Sequence, residues 1–283
     1  MVKAVAYTHI WIALGAFGAA FATVLSHGLP LEDWGAYTWS GLLGIGAATG
    51  CIYTLQRGIK LHKNPAAVPF ERRTFLERWK KALAWGWGIA AAGWTISSAS
   101  EWSAFLALVW DHPIVFMTMA LVALGYASNP LTGGRGWRGV PHLKWPAIAL
   151  AWGLATGWLP LQFLTGAEEL NGWTALQSIA AQTLFVAGIT LPFDVRDLPV
   201  DPVGLRTVPQ QINTRFTLVL AVTLVVMSMA GFWTLDGTPA RALAGAFALA
   251  GVFLAHRNRE EWIFSLWLDG SLILQGVLAF LLA

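Results

Sequence analysis

Leu191-Pro-Phe-Asp-Val-Arg-Asp-Leu-Pro-Val-Asp201, continued by Pro202-Val-Gly-Leu-Arg-Thr-Val-Pro-Gln-Gln211, is the most informative part of this sequence. It follows an apolar run and carries three carboxylates, Asp194, Asp197 and Asp201, spaced three and four apart. On a helix that spacing puts all three on one face. A row of carboxylates at a helix end has the chemistry of a magnesium site, because Mg²⁺ takes hard oxygen ligands and bridges to substrate phosphates. Pro199 and Pro202 interrupt the row. A residue before proline is biased out of the helical region. The helix is therefore expected to end near 197, with a turn that brings Asp201 back. The plainer reading is a solvated helix end, with Asp197 paired to Arg196 or Arg206.

On either side of this stretch the chain is dominated by apolar runs. Of 283 residues, 56% are hydrophobic and 12% charged, about half the charged fraction of soluble domains. That composition excludes a disordered chain and a nucleic-acid-binding module. The runs recur at roughly the 20 residues that cross a bilayer as a helix. They predict nine spans, near 5–25, 36–57, 82–100, 113–128, 146–164, 173–192, 216–235, 240–256 and 262–282. The expected fold is all-α, a polytopic membrane bundle of nine transmembrane helices forming a single domain over 1–283. Residues 103–110 either extend the third span or form a short interfacial piece before Pro113, which suits a helix start. The first span resembles a signal peptide, but eight further spans argue for an uncleaved helix. The single Cys51 allows no intrachain disulfide.

The charges sort by side. With the N-terminus inside, every one of the 18 basic residues except Arg241 falls on the inner side. Lys and Arg mark the cytoplasmic side. The outer loops carry Glu32, Asp33, Glu101, Asp111, Glu168, Glu169 and Asp236. The C-terminus is then outside. Tryptophans fall near both expected interfaces, as aromatic belts do. Gly41, Gly44, Gly46 and Gly50 predict close helix packing in the second span.

The string D-V-R-D-x3-D-x2-G-x-R-T-x-P-Q-Q, from Asp194 to Gln211, resembles the second aspartate-rich motif of the UbiA superfamily of intramembrane prenyltransferases. It is closest to a divergent, largely bacterial branch. The resemblance implies nine helices around a cavity open to the cytoplasm, an outside C-terminus, and residence in a bacterial inner membrane. It also implies an isoprenyl diphosphate or related isoprenoid lipid as partner, and Mg²⁺ held by Asp194, Asp197 and Asp201, with Arg196 and Arg206 nearby. A tyrosine-proline turn and basic residues follow the fourth span in that family. Here Tyr126-Ala-Ser-Asn-Pro130 precedes Arg138 and Lys144, the candidates for holding the diphosphate. Arg suits that role through its fork of donors, and Lys through its compact charge. Positive-inside topology and attraction to anionic membrane lipid explain the same residues equally well.

The first aspartate-rich motif of that family is missing. No Asp or Glu lies between Asp33 and Glu71, and the cytoplasmic end of the second span offers Tyr53, Gln56 and Arg57 instead. Arg57 is a candidate to neutralise a phosphate in place of a metal. Asp269, about two turns into the last span, is a further candidate, since an acid at that depth is expensive. His9 is read as a hydrogen-bonded packing residue. The expected activity is transfer of a prenyl group to an aromatic or lipid acceptor. The alternatives are a catalytically degenerate UbiA-fold protein that binds an isoprenoid or lipid or scaffolds a partner, and a terpene-cyclase-like member.

Overall fold

The computed structural model describes residues 5, 7–27, 31–63, 65, 68, 70–126, 136, 140–164, 171–199, 201, 203–255 and 260–282. Among these there is no strand, and the chain is all helical. In order come α1 (Ile10–Leu25), α2 (Ala36–Lys63), α3 (Phe70–Ser97), α4 (Trp102–Asp111), α5 (Pro113–Gly125) and α6 (Lys144–Gly153). They are followed by α7 (Gly172–Asp197), α8 (Val208–Asp236), α9 (Ala240–Leu254) and α10 (Asp269–Leu282). Among the described residues, three stretches are long and apolar enough to cross a membrane: Gly172–Asp197, Val208–Asp236 and Ile263–Leu282. A fourth is added if α4 and α5, bent by 94° at His112, count as one span. The stretch 103–110 is thus a separate short helix, and Pro113 starts α5 at a position where its missing N–H costs nothing.

Successive helices pack as neighbours. α7 lies along α8, α8 along α9, α9 along α10, and α10 along α1. α6 packs on α7, and its continuation touches α1, so these six elements close on one another, with α2 packed on α1 and α3 on α2. In the α1–α10 contact the two backbones come close. A Cβ on Gly276 would meet the Gly18 backbone at 2.7–3.0 Å, so both positions need glycine for the two backbones to approach. The glycines of α2 behave differently from the sequence expectation. Gly41, Gly44 and Gly50 make room for the rings of Phe163, Trp94 and Trp87, and only Gly46 faces a neighbouring backbone, at the Ala13 carbonyl.

Several tryptophans are cross-links as well as bulk. The Nε1 of Trp87 donates to the Thr8 carbonyl, that of Trp94 to Ser40 and that of Trp11 to Leu266, at 2.9, 2.7 and 3.0 Å. A buried indole N–H needs such a partner. Leu266 lies in a π-helical stretch, Ile263–Leu268, and a second one, Leu154–Trp158, continues α6. Such wider turns cluster at functional sites.

Two features arise only from the packed fold. Arg241, the one basic residue on the expected outer side, is fully buried. It pairs with Asp236, donates to Thr23 and Ser26, and lies 4.2 Å from the Phe232 ring centroid. Meanwhile α8 breaks at Asn213, whose φ of 62° and ψ of 171° are non-helical. The Asn213 side chain accepts from the Phe216 N–H at 3.2 Å and so starts the helix again.

Candidate functional site

The site forms where the N-terminus of α6 meets the C-terminus of α7. Lys144 is the first residue of α6, and Asp194 and Asp197 lie in the last turn of α7. Each charge sits at the wrong end of its own helix, since a helix N-terminus favours anions and a C-terminus favours cations. They compensate one another. Lys144 Nζ is 2.7 Å from Asp194 Oδ1 and 2.8 Å from Asp201 Oδ2. The turn after α7 brings Asp201 back through its N–H, which donates to the Asp197 carbonyl at 2.9 Å. Gln210 Nε2 donates to the Asp201 carbonyl at 3.3 Å and holds that turn from α8. Lys144 and Asp194 are both buried.

A second group adjoins this one. Arg196 Nε is 2.9 Å from Asp197 Oδ1, and its Nη1 is 3.1 Å from Glu261 Oε2. Arg72, at the start of α3, reaches the same Glu261 at 2.5 Å and Ser265 Oγ at 3.1 Å. The guanidiniums also lie over rings, Arg196 over Phe193 and Phe264, and Arg72 over Tyr7. Glu261 itself bonds Ser265 Oγ at 2.8 Å. Burial acts to raise the Glu261 pKa, but the Arg72 and Arg196 guanidiniums outweigh it and hold the carboxyl below its ordinary value.

Glu261, Ser265 and Asp269 are spaced four residues apart through the helical stretch around Ile263–Leu268, the interval that puts side chains on one face. Asp269 is half-buried and lies within electrostatic range of Arg196, Arg72, Glu261 and Arg57. Tyr53 in turn lies within range of Asp269, Tyr126 and Arg57. The structure therefore brings Tyr53, Arg57, Tyr126, Arg196 and Asp269 into one region. Gln56 is used differently, since its Nε2 donates to the Ala123 carbonyl at 2.7 Å and ties α2 to α5. Arg206 is exposed, with a left-handed φ of 50°. Arg138 lies outside the described residues. His9 Nδ1 is 2.9 Å from Thr54 Oγ1, the packing bond expected of it.

Arg72 and Glu261 are the residues that sequence reasoning passed over. The only signal was the spacing of Glu261, Ser265 and Asp269, four apart, which puts them on one helix face.

Magnesium wants several oxygens at about 2.0–2.1 Å in near-octahedral order. The acids supply the right chemistry, and Asp194 Oδ2 is buried with no hydrogen-bond partner among the described residues. As they stand the acids do not take the ion, because cations of the chain itself occupy them. Lys144 bridges Asp194 and Asp201, Arg196 holds Asp197, and no three His, Cys, Asp or Glu side chains gather for a metal among the described residues.

No protein-family model matches the chain, and no solved structure matches it. Its relatives include the uncharacterized proteins Mb0906 of Mycobacterium bovis and MT0905 and Rv0882 of Mycobacterium tuberculosis. Each is 31% identical over 87 residues, which make up 30% of this chain and 89% of the relative. By that coverage the chain belongs to the same family as these mycobacterial proteins.

Proposed function

We propose that this is a UbiA-like membrane protein of nine spans, in a bacterial inner membrane, with its N-terminus cytoplasmic and its C-terminus outside. Its site takes an isoprenyl diphosphate and passes the prenyl group to an aromatic or lipid acceptor. The observation that carries this reading is the convergence of Tyr53, Arg57, Tyr126, Arg196 and Asp269 beside Lys144, Asp194 and Asp201. Three cations within one region, Arg57, Arg196 and Lys144, suit a diphosphate leaving group, whose charge grows as the C–O bond breaks. The apolar helices around the region suit a prenyl chain. The Mg²⁺ requirement belongs to this reading only if Lys144 leaves its two carboxylates. The test is incubation of the protein in lipid nanodiscs with a panel of prenyl diphosphates, with and without Mg²⁺, together with mass spectrometry of co-purified lipid. Release of diphosphate and a prenylated product is expected. Absence of both turnover and isoprenoid binding at every chain length overturns the reading.

A second reading is a catalytically degenerate UbiA-fold protein that holds an isoprenoid or lipid without turning it over. One observation favours it: Asp194, Asp197 and Asp201 are each already paired with a cation of the chain itself. Isoprenoid binding without turnover in the same experiment selects it.

A further inference from the structure

We infer that Lys144 is a built-in substitute for a divalent cation, and that removing its ammonium opens a cation site between Asp194 and Asp201. The inference rests on the geometry of the three residues and stands whether or not the protein transfers prenyl groups.

The two carboxylates come from opposite sides of a turn, seven positions apart in sequence, and meet on one nitrogen at 2.7 and 2.8 Å. Oxygens gathered at that distance from one centre are close to the arrangement a divalent ion requires. Mg²⁺ draws its oxygens in to about 2.0–2.1 Å, so a shift of under about 1 Å per oxygen turns one geometry into the other. Asp194 Oδ2, buried and without a donor among the described residues, supplies a third oxygen already facing no other partner there. An ammonium and a metal ion cannot share the place, because both are cations seeking the same lone pairs.

The ammonium is held in that place. Lys144 is 7% exposed, so its charge finds little water. It sits at a helix N-terminus, where a cation is disfavoured, and the two carboxylates offset that disadvantage. Leaving them would strand a buried charge. Asp197 does not complete a metal site from the other side, because Arg196 holds its Oδ1 at 2.9 Å. The chain thus provides internally one positive charge where a bound ion would provide two.

The experiment is Mn²⁺ titration followed by electron paramagnetic resonance, on the full-length protein in nanodiscs without added lipid substrate. Wild type is expected to show no saturable binding into the millimolar range. Lys144→Met is expected to bind one Mn²⁺ at least about tenfold more tightly, and Lys144→Met combined with Asp194→Asn to lose that binding. Saturable wild-type binding that Asp194→Asn removes overturns the inference, and so does a folded Lys144→Met that binds no Mn²⁺. Where Lys144→Met folds poorly, its thermal unfolding with and without Mg²⁺ replaces the titration. Restoration by Mg²⁺ supports the inference, and no response to the ion overturns it. Because the readout is Mn²⁺ binding or folding, its failure is distinguishable from a failure to turn over prenyl diphosphate.

Discussion

Arg72 and Glu261 are 189 positions apart in sequence, yet Nη2 of the first lies 2.5 Å from Oε1 of the second. Arg196 joins the same carboxylate from α7, so Glu261 ties three helical elements together at one point. Its folded-state pKa is depressed by the two guanidiniums against the opposing effect of burial. A depressed carboxyl stabilises the fold above its unfolded value and loses that contribution as pH falls through the folded value. The stabilisation is therefore complete above about pH 4.5, the ordinary glutamate value, and disappears below it. Glu261→Gln is expected to cost about 2–3 kcal/mol at pH 7, in line with charge-assisted hydrogen bonds. The difference from wild type in thermal unfolding should narrow as the pH falls below about 4.5, the ordinary glutamate value. A gap independent of pH would show that the carboxylate charge contributes nothing.

Lys144 and Asp194 are both buried, at 7% and 3% exposure. Removing one member of a buried pair leaves an uncompensated charge, which costs about 3–5 kcal/mol. Lys144→Met is expected to fall in that range in the absence of divalent ions. Asp194→Asn should cost less, because Lys144 keeps Asp201. The double variant should be more stable than the sum of the two by about 0.5–3 kcal/mol. A double-mutant cycle by denaturant unfolding in detergent micelles measures this, and strict additivity would refute the pairing.

Asn213 occupies a backbone region that only glycine adopts easily, with φ 62° and ψ 171°. Holding a non-glycine residue there costs about 1–3 kcal/mol. Asn213→Gly removes that cost but also the side-chain cap on Phe216, which glycine replaces at a loss of a few tenths of a kcal/mol. The net expectation is a stabilisation of about 1 kcal/mol, read as a rise in melting temperature. A fall would mean that the side-chain bond outweighs the strain.

In the proposed function, Arg57 neutralises a phosphate directly. Arg57→Ala is expected to weaken binding of a prenyl diphosphate at least about tenfold, or 1.4 kcal/mol. Asp269→Asn, which keeps the shape and removes the charge, should change turnover more than binding. Calorimetry with a non-hydrolysable prenyl diphosphate analogue checks the first and product analysis the second. Unchanged binding in Arg57→Ala removes Arg57 from the site.

Much of this protein is legible in its amino-acid order alone. Long apolar runs require helices, since a backbone in lipid must satisfy its own hydrogen bonds, and the structure is all helical among the described residues. The prolines after Asp197 announce the end of α7 and the return of Asp201, and both occur. Such features are local: they depend on composition and on residues a few positions apart. The pairings are not legible, because they join distant parts of the chain. By residue type Lys144 suits a phosphate and Asp194 and Asp201 suit a metal, and only the packing of α6 on α7 puts the first between the other two. The π turn at Ile263–Leu268 and the break at Asn213 both depart from regular helix. Neither has a signature in residue type, because each is a local cost accepted so that neighbouring helices can pack. Where the charges lie along the chain is a property of sequence. Which charge answers which is settled by the helices that carry them together, because a buried ion is stable only beside its partner.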